Sequence, residues 1–464
     1  MKKALVITIA LFLLVRILIF ATFWQASLDK GGWQNFYGWT QSANQVLRGI
    51  FHEYCDWHPP LYYAFTSSIL FLFHNQWPIY FFQILFALID LWLIYKISRL
   101  FFAEKISWAV TLLAAIEPHW AWHNLLLVSE NLFTPFFLAG FYFFFRYLMG
   151  SHRKNLLFSA IFWGAATWVR FNSLQITLLL SFFLLLVFLI KQRPGIEILP
   201  NISFRRLLVD LTIFNLLFFL ILSPWMVYNE MAYGRFTFTN ILSTNFYFYN
   251  VPPLLAVQKN ISYDAGYQMV AQKAKDDLGD NVGDQGDCKL YSKKELGRQF
   301  SYYRQEAKNY ILADLSTYLK MHLLRAVPFF FQSGYFDMWS AYSGKYSKPD
   351  ITGLVMKGNF PAIKSFFLNL NLKLAVYLLG IIFWGIASLA VFVSCFYSYF
   401  QDRKRFIFFL LSLIIILYTA FVVSPFVLAK YRFPLYIFFL APLVYMIGVA
   451  RDWLFGRQKL IRYE

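Results

Sequence analysis

The sequence predicts an all-α polytopic membrane protein of about ten transmembrane helices. Three observations carry this. The 464 residues are 59% hydrophobic and only 14% charged. The apolar residues come in long continuous runs, each able to cross a hydrocarbon core of about 30 Å as a helix of roughly 20 residues. The runs do not alternate as barrel strands do, so helices are the spanning element.

The runs lie near 4–25, 77–100, 106–123, 131–149, 155–170, 173–191, 207–228, 372–399, 406–428 and 433–450. The first follows Met1-Lys2-Lys3 and is too long for a cleaved signal, so it is read as a retained helix. The stretch 61–73 is too short to span and reads as a helix lying in the interface. Charge tests that choice. With ten spans and the N-terminus inside, nineteen Lys and Arg fall on the cytoplasmic side and five in the short outer segments. Counting 61–73 as a span would invert that bias. The net charge of +18 is therefore a topological signal, and nucleic acid is not an expected partner.

The organisation follows. Residues 1–228 form an N-terminal transmembrane module with its first external loop at 26–76. Residues 229–371 form an external region, and 372–464 carry the last helices. Both termini are placed in the cytoplasm, in what reads as a bacterial inner membrane. In the external region Glu295–Tyr310 and Leu315–Phe331 have helical patterns, and Asp276–Asp287 is a polar, Gly-rich loop. Cys55, Cys288 and Cys395 show no metal spacing; Cys55 and Cys288 share the outer side, as a disulfide or as two thiols.

The first external loop is the main site candidate. Asn35, Trp39, Ala43 and Leu47 fall four apart before Gly49, one face of a short helix. His58-Pro59-Pro60-Leu61-Tyr62-Tyr63 then forces an extended turn. Glu130 stands at the start of a span, where the helix dipole favours an acid and Ser129 is placed to cap. The same acid suits a general base or metal ligand. Arg170 and Arg432 flank spans on the outer side, with Lys430 beside the latter. They read either as snorkelling cations or as a clamp on phosphate, which suits the planar guanidinium fork. Glu117 falls within a span. His119 and His123 follow at i, i+4, a spacing that serves a metal ion or interfacial hydrogen bonding. Asp90 and Asp210 read as paired internally or near the cytoplasmic surface. Aromatic residues at Asn245–Tyr249 and Tyr302–Tyr310 suit either sugar stacking or the interface belt.

The first loop resembles that of the GT-C glycosyltransferases, notably the protein O-mannosyltransferase-like and lipid A aminoarabinose-transferase-like members. Four further stretches are similar to the family's outer segments: Leu127–Phe133 (LVSENLF), Gly164–Leu174 (GAATWVRFNSL), Ser223–Phe236 (SPWMVYNEMAYGRF) and Lys430–Pro434 (KYRFP). The resemblance implies an integral membrane glycosyltransferase. Its donor is a sugar on a polyprenyl phosphate, and its acceptor a lipid, glycan or protein at the outer face. Direct displacement with inversion is also implied. It makes Asp29, Asp56 and Glu130 the catalytic acids, and Asn35, His58, Arg170, Lys430 and Arg432 the substrate-binding residues. A divalent metal is an optional cofactor, with Glu130, His119 and His123 as its ligands. One departure stands out. The family's first-loop acid falls on Asn35, and an amide is no base. Asp29 and Asp56 are the nearby substitutes. The other readings are a lipid or polysaccharide transporter, and a GT-C-like protein with lost or altered catalysis. Transporters place their charges at the midplane on broken helices, whereas these crowd toward one face.

Overall fold

The computed structural model describes residues 2–29, 59–190, 202–279, 292–335, 337–338, 360–361, 364–365 and 372–455. Apolar runs with few charges become helices because a hydrocarbon solvent leaves a backbone no other way to pair its polar groups. The described residues hold helices and turns, and no strand. In chain order the helices are α1 (Lys2–Asp29), α2 (Leu61–Phe73), α3 (Trp77–Phe101), α4 (Glu104–Ile116), α5 (Pro118–His123), α6 (Glu130–Gly150), α7 (Arg153–Val169), α8 (Ile176–Ile190) and α9 (Phe204–Tyr233). Then come α10 (Val251–Gln258), α11 (Tyr263–Leu278), α12 (Lys293–Ala313), α13 (Leu315–Ala326), α14 (Leu372–Gln401), α15 (Arg403–Val423) and α16 (Tyr436–Leu454). A 3-10 run, Ala429–Leu435, leads into α16.

The all-α polytopic class is thus borne out. Among the described residues eight helices are long and apolar enough to cross a membrane. The other two expected spans are shorter. One is α7, whose 17 residues make about 26 Å of helix. The other, expected to be continuous over 106–123, breaks at Glu117: α4 stops, Glu117 turns extended (φ −66°, ψ 118°), and Pro118 opens α5. Proline lacks the N–H that would continue the ladder, which explains the position of the break.

Buried charge holds both ends of the bundle. At one end Asp210 of α9 accepts from the Tyr147 hydroxyl (2.9 Å) and pairs with Arg153 (2.6 Å), and Arg206 donates to the Ser151 carbonyl (2.7 Å). This is the internal pairing expected for Asp210. At the other end, the corner between α5 and α6 is tied to α1 and α3. Gln83, fully buried in α3, donates to the Asn124 and Leu126 carbonyls (3.0 and 2.9 Å). Asn131 donates to the His123 carbonyl (2.9 Å) and accepts from Asn124 (2.9 Å). Arg16, buried within the first span, donates twice to Asn124 Oδ1 (3.1 and 2.7 Å) and once to the Ala115 carbonyl (2.9 Å) in the last turn of α4. Its guanidinium lies 3.4 Å from the Phe12 ring centroid. Arg16 thus serves a carbonyl beside the break at Glu117, and Gln83 and Asn131 serve carbonyls of the 123–126 corner.

The segment SPWMVYNEMAYGRF also has a structural account. Pro224 cannot donate within α9, and the Ser223 hydroxyl instead donates to the Leu220 carbonyl (2.9 Å). Asn229 closes the turn after Gly234 through the Thr237 and Phe238 carbonyls (2.9 and 3.3 Å). Beyond it, α10 to α12 build a small helical unit with its own core. Tyr247 and Tyr303 stack there at 5.2 Å, fully buried. Those two rings are core, so sugar stacking is not their work. The expected helix at 295–310 is α12, closed by a Ser292–Glu295 capping box. The one at 315–331 is α13 followed by a 3-10 turn, Val327–Phe330. Residues 276–278, expected in a loop, continue α11; the rest of that loop, with Cys288 and Cys55, lies outside the described residues.

Arg16→Met leaves Asn124 Oδ1 and the Ala115 carbonyl without their donor. Thermal unfolding in detergent should show a loss on the order of 3 kcal/mol. Arg16→Lys should recover only part, since a point charge does not reproduce the fork. Wild-type stability in both variants would show that the corner does not rest on Arg16.

Candidate active site

Three helix ends meet where the 170–175 and 424–435 segments face the start of α6. Each end turns a charged side chain inward. Val169 ends α7, and Arg170 is extended (φ −149°, ψ 128°), so its side chain leaves the helix surface and crosses to α6. Its Nη1 lies 2.9 Å from Glu130 Oε2 and 2.8 Å from the Ser129 hydroxyl. Ser129 occupies the N-cap position, but its hydroxyl does not cap the helix; it accepts from Arg170. Lys430, from the 3-10 run, places Nζ 3.0 Å from Glu130 Oε1. Both carboxylate oxygens therefore face a cation. Among the described residues, the ion pairs set two cations against this one carboxylate.

This cluster lines a groove between α6, the 170–175 segment and the end of α15. Asn172, Tyr418, Thr419 and Tyr431 add polar atoms to the lining, and Phe133, Phe137, Ile176, Val422, Val423 and Leu435 make the rest of it largely apolar. The Tyr418 hydroxyl donates to Gln175 Oε1 (3.0 Å), joining α15 to the 170–175 segment. Two cations beside a largely apolar lining suit an amphipathic anion, with its head on the cations and its chain between the helices.

Arg432 does not join this cluster. It is 1% exposed, donates to the Phe329 carbonyl (2.9 Å) and the Gln332 carbonyl, and sits 4.2 Å from the Trp384 ring centroid. The 3-10 geometry explains the split. At about three residues per turn, positions two apart point roughly 120° from one another. Lys430 meets the groove while Arg432 faces the core.

Glu117 is also structural in its contacts. It caps α5 by accepting from the Trp120 amide (2.6 Å), and it accepts from the Tyr436 hydroxyl (2.8 Å), which ties the break to the start of α16. His119 and His123 pack against each other (4.7 Å) and against Phe433 (5.0 and 4.6 Å). A Cβ at Gly334 (φ +76°) would come within 2.2 Å of the His119 ring. The expected metal set of Glu130, His119 and His123 does not assemble: among the described residues no three such donors converge. Glu130 is taken by Arg170 and Lys430, and the histidines by aromatic packing.

The first loop reaches the cluster through its exit. Tyr62, fully buried in α2, donates to Gln83 Oε1 (3.1 Å). Burial lifts its pKa well above the ordinary tyrosine value, and the charge of Glu130 adds to that rise. Pro59 and Pro60 immediately precede it. Asn35, Asp56, His58 and the Asp29 side chain lie outside the described residues. Arg16, Gln83 and Tyr418 were not singled out in the sequence. The signal for the first was a lone charge in an apolar run; the other two offered none.

Residues 57–228 match the profile of the family described as dolichyl-phosphate-mannose-protein mannosyltransferase. This stretch holds Glu130 and Arg170, and the match bears out the resemblance to the GT-C superfamily. A comparison with curated proteins gives no match. Two solved structures are similar in fold. One is the archaeal oligosaccharyltransferase AglB from Archaeoglobus fulgidus in complex with an inhibitory peptide and a dolichol-phosphate, at 12% identity and a TM-score of 0.47. The other is the Archaeoglobus fulgidus oligosaccharyltransferase in its apo form, at 12% identity and 0.45. Each alignment covers 98% of this chain and 52% of the other, so this chain spans about half the length of those proteins.

The division of labour between the two arginines is open to a binding measurement. With dodecyl phosphate as probe, Arg170→Met should weaken binding at least about tenfold, the loss of one charge-assisted contact. Arg432→Lys should leave binding within a few-fold and lower the unfolding temperature instead. The reverse pattern would place the anion site at Arg432.

Proposed function

We propose that this protein is a GT-C-type membrane glycosyltransferase that moves a sugar from a polyprenyl-phosphate carrier to an acceptor hydroxyl at the outer face. The observation that carries this reading is the groove lined by two cations and by largely apolar side chains. A polyprenyl-phosphate-sugar has the matching form: a phosphodiester carrying one negative charge, followed by a long apolar chain. Arg170 and Lys430 are the cations that would meet its phosphate.

In this reading Arg170 and Lys430 hold the phosphate as it leaves. Transition-state charge grows there as the phosphodiester becomes a monoester, so preorganised cations in a site shielded from water do most to lower the barrier. The attacking hydroxyl must approach the sugar carbon from the side opposite the phosphate, because displacement inverts that centre. Glu130 is bound to the same cations as the phosphate and so lies on the leaving-group side. The base that takes the acceptor proton is therefore assigned to the first loop, whose carboxylates are Asp29, Glu53 and Asp56; Asp29 and Asp56 are the candidates, and Asn35 supplies none. His58, on the same loop, and Asn35 would contact the substrate. The loop's exit at Tyr62 brings Asp56 closest in sequence to the cluster. A divalent metal has no seat among the described side chains; held at all, it would need first-loop carboxylates and substrate phosphate. The excess of Lys and Arg at the opposite end supports an outward-facing groove, with both termini in the cytoplasm.

Transfer in proteoliposomes tests the reading. Wild-type protein should convert a polyprenyl-phosphate-linked sugar to polyprenyl phosphate with the sugar on an acceptor. Asp56→Asn or Asp29→Asn should lower kcat by about 10²–10⁴ while donor binding persists, the range for loss of a general base. A sugar lipid that crosses the bilayer without covalent change would instead support transport. Full transfer in both Asp variants would remove Asp29 and Asp56 as the base.

A further inference from the structure

The seat proposed for the phosphate already holds an anion. Glu130 is 3% exposed and presents one oxygen to Arg170 at 2.9 Å and the other to Lys430 at 3.0 Å. A carboxylate so placed meets the same donors, at the same distances, that a phosphate oxygen would use. A group that only neutralised two cations could sit anywhere beside them. This one lines the groove together with both partners.

We infer that Glu130 is a built-in competitor of the lipid phosphate, which keeps the spent carrier from staying on the enzyme. This deepens the proposed function and rests on its assignment of the groove. The difference in charge between donor and product shows why such a competitor is useful. The donor phosphodiester brings one negative charge to Arg170, Lys430 and the ionised Glu130. Transfer forms a bond from the acceptor oxygen to the sugar carbon and breaks the bond from that carbon to the phosphate oxygen. The bonding electron pair stays on the phosphate, and the acceptor proton goes to the first-loop carboxylate. The product is a phosphate monoester that carries up to two negative charges. Against two bare cations in a shielded cleft it would bind very tightly. Glu130 opposes it in two ways: it occupies donors on both cations, and its own charge repels the dianion. The donor, with less charge, suffers less from the same carboxylate. Glu130 thus favours donor over product at one seat, and turnover gains from weaker product binding.

This role differs in its signature from a base or a structural clamp. The decisive experiment measures binding of a polyprenyl monophosphate, and of the corresponding phosphate-free polyprenol, to the full chain in detergent or nanodiscs. Glu130→Gln removes the charge and keeps the shape. It should bind the monophosphate at least about tenfold tighter than wild type, with unchanged affinity for the polyprenol. In the transfer assay both KM and kcat should fall, because product release slows. A base would give a lower kcat at constant KM. The double variant Glu130→Gln/Lys430→Met removes one cation together with the carboxylate, so that Arg170 alone faces the phosphate. It should return the affinity toward wild type, and it serves if the single variant does not fold. Equal or weaker monophosphate binding by Glu130→Gln, with polyprenol binding intact, overturns the inference. The groove assignment fails separately: Arg170→Met and Lys430→Met would then bind the monophosphate as well as wild type does.

Discussion

A bilayer offers no water to a broken helix, and this chain breaks its helices around the groove. Each break frees carbonyls or amides that must find partners inside the protein. The partners are specific buried side chains. Arg16 and Asn124 serve the end of α4, Gln83 and Asn131 serve the corner at 123–126, and Arg432 serves the carbonyls of Phe329 and Gln332. These bonds make the interruptions stable, and the interruptions in turn place Glu130, Arg170 and Lys430 in one cluster. An unbroken bundle would keep those three on separate helix faces. The polar bonds are therefore the scaffold of the site, and the apolar packing around them is the general requirement of the fold.

The fold class was legible because it depends on run length and charge bias, which a sequence shows directly. Position 61–73 was also legible, as a helix too short to span. The break at Glu117 was less so. The run 106–123 has the length of a span, and only Pro118 after an acid marks the interruption. Glu130 and Arg170 were found because an acid and an arginine at span ends are unusual. The split between Lys430 and Arg432 could not be read, since it depends on a 3-10 rather than an α-helical path through KYRFP. The stretch DKGGWQNFYGWTQSANQVLRGIFHEYCDWH, the main site candidate in the sequence, lies almost wholly beyond the described residues. Its exit at Pro59–Tyr62 is placed, with Tyr62 bonded to Gln83.

The electrostatics of the cluster set what the groove can hold. A site with two bare cations would be hard to empty of phosphate, and a site with none would not hold it. One carboxylate between two cations gives an intermediate seat. In the proposed reading it accepts a singly charged headgroup. The apolar walls supply affinity for the chain and so leave the head free to discriminate by charge. The same division explains why Arg432, two residues from Lys430, is spent on backbone carbonyls: a third cation at the head would undo the balance.

The central claim is that the groove between α6, the 170–175 segment and α15 seats a polyprenyl phosphate. Its most direct test is a cryo-EM map of the protein in nanodiscs with that lipid bound. The claim predicts the phosphate within hydrogen-bond reach of Arg170 and Lys430, and the chain running past Phe137 and Val422 toward the membrane. A phosphate bound at Arg432 or on the far end near Arg153, with this groove filled only by bulk lipid, would contradict it.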